Sequence, residues 1–223
     1  MRSRQAKSAL VAVAAAAAVL ATTSPALAAT SSDTTQFSVT PGSLAFTATV
    51  PDVPNLPALT LNGQAQTLNG TMNNFGVDDA TGSASGWNVT VSGDSSASKS
   101  AVFKRYCTQA GGCGADPFGY VTGGATLAAN TITLNSTSAS FTGLNGTTGT
   151  APTHQCNAGC SVDAPPASPV KIVSAASGAG MGTWGSTGWT GTSVAASTPS
   201  TVTALPANEV YRVDLLWTLG SGP

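Results

Sequence analysis

Residues able to do acid–base, nucleophilic or metal chemistry are scarce in this chain. It has one histidine, four cysteines and nine Asp or Glu among 223 residues. His154 lies between Pro152 and Cys156. A catalytic base needs a nucleophile in reach and a group that orients it, and neither is suggested nearby. G-x-S-x-G, H-E-x-x-H and phosphate-binding glycine patterns are all missing. His154 therefore reads as a solvated loop residue. Asp78, Asp79, Asp116, Asp163 and Asp214 are candidates for a carboxylate pair that cleaves glycosides, but no spacing brings two of them to the required separation. Asp78-Asp79 lacks the spaced oxygen pattern of a calcium loop, and Asp79 is expected to bond the backbone of its own turn. No catalytic residue, metal site or cofactor is assigned, and the chain does not read as an enzyme.

The cysteines carry the other available chemistry. Cys107 and Cys113 are separated by five residues, Cys156 and Cys160 by three, and both pairs sit among Gly, Pro and Asn. In an oxidising compartment such pairs staple loops. Of three connectivities, Cys107–Cys113 and Cys156–Cys160 are favoured because each closes a short local loop. A four-thiolate zinc site is disfavoured by spacings other than C-x₂-C.

Positioning these residues falls to strands. In Glu209-Val-Tyr-Arg-Val-Asp-Leu-Leu-Trp-Thr-Leu219, the residues Tyr211, Val213, Leu215, Trp217 and Leu219 share one face at period two. The other face is mixed and leans polar, which predicts a strand with one buried side. Gly86-Trp-Asn-Val-Thr-Val-Ser92 repeats the pattern, with Trp87, Val89 and Val91 facing one way. Two such strands, far apart in sequence, are expected to anchor one core.

Residues 1–28 read as a cleaved secretory leader: Arg2, Arg4 and Lys7 open it, an Ala-rich apolar run follows, and Ala26-Leu27-Ala28 offers a cleavage site. The run is too short to span a bilayer, so no membrane span is expected in the mature chain. Three of the eight basic residues and none of the nine acids lie in the leader, which leaves 29–223 with five against nine and a net charge of −4. The remaining cations are scattered, and nucleic acid is excluded as a partner for want of a basic patch. Val, Leu, Ile and Phe make up 35 of the 195 residues after the leader. That is a thin core, but the low charge argues against disorder.

Along 29–223, strand character appears at 44–50, 59–61, 67–77, 86–92, 126–134, 169–174 and 202–205, with turn signals such as Asn62-Gly63, Asn69-Gly70 and Asn145-Gly146 between. Residues 51–57 hold three prolines and read as a loop or crossover. The stretch 104–165 carries both cysteine pairs and reads as an elaborated insertion. No helical period appears outside the leader. The expectation is an all-β, antiparallel, immunoglobulin-like β-sandwich with a disulfide-containing loop insertion, forming a single domain over 29–223.

The run Phe75-x-Val77-x-Asp79-x-x-Gly82-x-x-x-Gly86-Trp87-Asn-Val-Thr-Val91, with Tyr211-x-Val-x-Leu-x-Trp217-Thr-Leu219 near the C-terminus, resembles the WxL domain family of Gram-positive surface proteins. Trp217-Thr-Leu219 matches the name-giving pattern, and Trp87-Asn-Val89 has Val in place of Leu. The resemblance is carried by 36–92 and 200–219. It implies a secreted, extracellular, cell-wall-associated protein whose partner is peptidoglycan or another wall glycan. Without a sortase-type LPxTG, retention is expected to be non-covalent. An alternative is a structural module that assembles with other secreted proteins through strand edges or disulfide-stapled loops.

The family name invites a ligand role for Trp87, Val89, Trp217 and Leu219. Their phase with neighbouring Val and Leu argues instead for the core. Candidates for surface contact with a glycan are Trp184, Trp189, Tyr106, Phe118 and Tyr120, which lie among Gly and Thr without a strand pattern; the alternative, which the usual burial of large aromatics favours, is that they fold back over the open end of the sandwich.

Overall fold

The computed structural model describes residues 34–223, so the leader read over 1–28 lies outside the described residues. The chain divides into a leading segment that ends at Val39 and a compact body, Thr40–Pro223. From residue 34 to 39 the leading segment is exposed and has no regular structure.

Short runs of β-branched and aromatic residues, punctuated by Gly, Pro and Asn, make the body all-β. It begins with β1 (Leu44–Phe46), β2 (Gln66–Gly70), β3 (Phe75–Asp79) and β4 (Trp87–Gly93). Then come β5 (Lys104–Cys107), β6 (Gly119–Tyr120), β7 (Ile132–Leu134), β8 (Ser140–Gly143), β9 (Thr153–His154) and β10 (Cys160–Ser161). The last five are β11 (Val170–Ala175), β12 (Gly182–Thr187), β13 (Val194–Thr198), β14 (Glu209–Arg212) and β15 (Leu215–Ser221). They form four antiparallel sheets, in the orders β1-β3-β12-β8, β10-β7-β13-β2, β15-β4-β11-β9 and β14-β5-β6. Among the described residues no helix is long and apolar enough to cross a membrane.

Three of the sheets converge on one core of Phe75, Val77, Trp87, Val89, Val91, Ile132, Leu134, Ile172, Val173 and Val194. The stretch 104–165, read from sequence as an insertion, supplies strands to all four sheets. Its Ile132 and Leu134 are 2% and 1% exposed. Disulfides join Cys107 to Cys113 and Cys156 to Cys160.

The two Trp strands are direct neighbours. β15 pairs with β4 along its whole length, with Leu215 opposite Gly93, Trp217 opposite Val91, Leu219 opposite Val89 and Ser221 opposite Trp87. Directly opposed residues share a face, so the apolar sides of both strands meet one interior. Trp87 is 0% exposed, and its Nε1–H donates to the Gly180 carbonyl at 2.9 Å. Gly86 (φ +77°) and Gly180 (φ +73°) make that burial sterically feasible: a Cβ on Gly86 would sit 2.3 Å from the Ala175 carbonyl, and one on Gly180 2.6 Å from Trp87 Nε1.

The final run departs from the single strand expected of it. β14 pairs with β5, β15 with β4, and the chain changes sheet at Val213-Asp214. Asp214, expected on the outer polar face, is 7% exposed. Its oxygens accept from Ser100 N–H at 3.0 Å, Arg212 Nη2 at 3.1 Å, Lys99 Nζ at 3.4 Å and the Tyr120 hydroxyl. A buried carboxylate needs such compensation, and these donors come from three separate stretches of chain. Residues 59–61 and 202–205 are loops, not strands, and the strand before the final run is β13.

The two tryptophans are held differently, which sets a stability contrast. Trp87→Ala should cost ~3–5 kcal/mol, as for a fully enclosed aromatic. Trp217 is only half-buried, and Trp217→Ala should cost less than Trp87→Ala, since less apolar area returns to water. Urea unfolding of both variants measures this; equal losses would show that the tryptophans are energetically equivalent.

Candidate functional site

An open groove of about 1080 Å³ runs along the body. One wall is the proline-rich stretch 51–61, another the loop 202–205, and the far side is formed by β14 and β15. Prolines 51, 54 and 57 recur every third residue, and so do Val53, Leu56 and Leu59, which are half-buried and line the groove together with Pro51 and Pro54. A period of three is that of polyproline II, whose backbone makes no internal hydrogen bonds. The stretch is tied down through other residues: Asn73 Oδ1 accepts from Asp52 N–H at 2.6 Å, Asn73 Nδ2 donates to the Val50 carbonyl at 2.9 Å, and Gln66 Nε2 donates to the Thr60 carbonyl at 2.9 Å.

The groove explains the partial burial of the C-terminal strand. Val213, Leu215 and Trp217 pack against the core and also line the groove, as do Leu68 and Phe103. The face expected from sequence to be fully enclosed is therefore open along one side. Trp217, placed in the core by its pattern, serves as core contact and groove wall together, whereas Trp87 serves the core alone.

At one end the groove meets the sheet β14-β5-β6. Tyr106 stands opposite Tyr120 on one side and Val210 on the other. The Tyr106 ring meets Tyr120 edge-on at 4.9 Å and Phe118 edge-on at 5.8 Å. The Arg212 guanidinium lies 4.6 Å from the centre of the Tyr106 ring, a cation–π contact. Phe118 is 58% exposed and Val210 44%. Three of the five aromatics expected to contact a ligand are thus gathered in one place.

Paired charges stiffen this end. Arg105 bonds both Glu209 oxygens and reaches Asp116 Oδ2 at 2.6 Å. The Arg105 guanidinium holds the Glu209 carboxyl below its ordinary pKa, and Glu209 in turn raises that of Arg105. Burial pushes the Tyr120 hydroxyl above its ordinary pKa, and the Asp214 carboxylate beside it adds to the rise. For Asp214 burial acts upward, but the donors Tyr120, Ser100 and Arg212 outweigh it and the net shift is down. Behind this sheet the Cys107–Cys113 disulfide packs with Val121 in a small second core.

The two remaining aromatics lie elsewhere. Trp184, a candidate platform, is 5% exposed because β12 is an inner strand of its sheet; its Nε1–H donates to the Met181 carbonyl at 3.0 Å. Trp189 is half-buried, stacked on Phe75 at 6.4 Å and packed against the core. Neither is an open platform, since large aromatic rings gain more from covering a core end than from facing water.

His154 is likewise not a solvated loop residue. It belongs to β9, stacks on Phe141 at 4.5 Å and meets Trp189 edge-on at 5.1 Å. Its Nε2 lies 3.3 Å from Ser186 Oγ, and its Nδ1 is buried without a hydrogen-bond partner. Burial alone pushes its pKa down to about 4. Asp79 accepts from the backbone and hydroxyl of Thr81 at 3.1 and 2.6 Å, which closes its own turn. Asp163, 0% exposed, accepts from Thr131 and Ile132 N–H at 2.8 and 2.9 Å.

Lys99, Arg212, the inward turn of Asp214 and the groove-lining residues of 51–61 were not singled out from sequence. The period of three at 53, 56 and 59 was the available signal for the last of these. Nothing local signalled Asp214, whose partners are distant in sequence.

The family model described as "WxL domain surface cell wall-binding" matches residues 43–223. That span includes the whole 104–165 stretch, well beyond the segments that carry the sequence resemblance. Comparison with curated proteins and with solved structures gave no match.

His154 makes stability depend on pH. Its folded pKa, about 4, lies below the ordinary 6.5, so the unfolded chain takes up the proton first. Its contribution is complete above pH ~6.5 and is lost as pH falls toward ~4. The melting temperature should drop through that window, and His154→Phe should flatten the drop. An unchanged profile in that variant would assign the dependence to other groups.

Proposed function

From the premise that the chain belongs to the WxL domain family of surface cell wall-binding proteins, we propose that it is a secreted, non-catalytic protein that associates with peptidoglycan non-covalently. The observation that carries the reading is the family match over 43–223. The contact face in this proposal is the aromatic end of the groove, with Phe118 outermost and Tyr106 and Tyr120 supporting it. Rigid aromatic side chains give contact area at small entropic cost, and the ring–ring contacts hold these three in place before a ligand arrives. Flat apolar rings complement the C–H faces of sugars, and the neighbouring Arg212 offers donors to acetamido and carboxylate oxygens.

The non-catalytic reading is supported by how the ionisable groups are employed. Asp214, Asp163, Glu209 and Asp79 each hold structural hydrogen bonds, and His154 is enclosed between aromatic rings. A general acid or base must reach its substrate's proton, and these groups are engaged elsewhere.

Purified peptidoglycan should carry the wild-type protein into the pellet on centrifugation. Phe118→Ala should weaken binding about tenfold, ~1.4 kcal/mol, with the melting temperature unchanged because the side chain is 58% exposed. Leu144→Ala, at another exposed apolar position (41%), serves as the control and should bind as wild type. Wild-type protein left in the supernatant would remove the peptidoglycan reading. Full binding by Phe118→Ala would remove this face.

A further inference from the structure

Among the described residues, two apolar surfaces lack a partner. One is the groove floor, where Val53, Leu56, Phe103, Leu215 and Trp217 remain half-buried beside an open volume of about 1080 Å³. The other is the leading segment, where Phe37 is 89% exposed and Val39 78%, the most exposed of the large apolar side chains described. Separated by one residue, these two share a face when the backbone is extended. Contiguous exposed apolar surface marks interaction sites, whereas single exposed apolar residues do not.

The character of the groove narrows what can occupy it. Of its charged residues, Lys99 and Arg212 pair with Asp214 and Glu209 pairs with Arg105, while Asp52 in the proline-rich wall is exposed. A neutral apolar strand leaves these pairs intact. Residues 36–40, Gln-Phe-Ser-Val-Thr, carry no charge. On the groove side, β14 and β15 each stand at the edge of their sheet, and edge strands offer backbone donors and acceptors to an added strand.

We propose that the groove receives residues 36–40 of a second copy of this chain, with Phe37 and Val39 seated on the floor beside Leu215 and Trp217. The contact is heterologous, since a segment on one copy meets a groove on the next. Repeated, it produces a ring or an open filament according to the rotation between copies. A surface protein assembled in this way would present the Phe118 face once per copy, and multivalency would raise its hold on a repeating wall polymer. The assembly itself does not depend on the peptidoglycan reading, because it involves no glycan.

The test uses purified chain beginning at residue 29, the form that the leader implies. Sedimentation velocity across a concentration series should show mass increasing with concentration. Phe37→Asp combined with Val39→Asp should weaken that association by at least ~100-fold, as the loss of two apolar anchors implies. Both side chains are exposed in the single chain, so the melting temperature should not move at concentrations too low for association. In parallel, a photo-crosslinking residue placed at Phe37, in a mixture of isotopically light and heavy protein, should give light–heavy products that map to Leu215, Trp217 or the 53–56 stretch. A chain that stays monomeric throughout, association that survives the double substitution, or crosslinks confined to a single copy would each overturn the proposal.

Discussion

The structure depends on the ladder between β4 and β15. Trp87 supplies the largest side chain in the core, and its strand is flanked by β11 on one side and by the chain's last strand on the other. In a protein with so few Leu, Ile, Val and Phe, one fully enclosed indole carries an unusual share of the apolar burial. Enclosing it leaves little freedom nearby. The chain entering β4 must pass Ala175 with no side chain at Gly86, and the carbonyl that accepts the indole N–H must come from another position without a side chain, Gly180. The ladder also joins positions about 130 residues apart, Ser221 opposite Trp87. The core therefore closes through a pairing of very long sequence separation, a kind of contact whose loop-closure cost falls early in folding.

The groove follows from the same scarcity. A chain this poor in large aliphatic residues cannot fill the space under both of its Trp strands. The shortage falls at β15 and not at β4, because β4 has strands on both sides whereas β15 stands at an edge. The 51–61 stretch covers part of the gap, with Pro51 buried and Val53, Pro54, Leu56 and Leu59 half-buried. What remains open is apolar at its base and bounded by paired charges at the end where Asp214 turns inward. The switch from β14 to β15 shapes that end: turning Asp214 inside draws Lys99, Arg212 and Tyr120 to one point and aligns Tyr106 with the mouth of the groove.

Much of this was legible in the amino-acid sequence wherever a local period carried it. The all-β class, the alternation in 87–91 and 215–219, and the family resemblance all follow from side chains two residues apart. The Asx turn at Asp79 follows from residue preference. Failures arose where the deciding contact was remote. Asp214 looks polar and outward by phase, and only donors at 99, 100, 120 and 212 make its burial tolerable. Trp184 among glycines looks like a loop aromatic; the glycines in fact permit β12 to run between β3 and β8. His154 looked solvated because its neighbours in sequence are polar, whereas its neighbours in space are Phe141 and Trp189. For 51–61 the difficulty is different, since prolines break strand pairing and also impose a period of three, and only the second property points to the groove wall.

The two Trp motifs show how one pattern can serve two physical roles. Trp87 and Trp217 occupy equivalent phases in neighbouring strands, so alternation cannot tell them apart. Position within the sheet can. On the inner strand a tryptophan is enclosed on every side, and Val89 two residues later is fully buried beside it. On the edge strand the indole has core on one side and open groove on the other. It contributes to stability and still presents a ring to whatever enters. The departure of Val89 from the name-giving pattern thus falls at the motif whose role is packing, where an apolar β-former of similar shape suffices. Trp217-Thr-Leu219 keeps the full pattern at the motif that borders the groove, where the side chain has a surface to present as well as a core to fill.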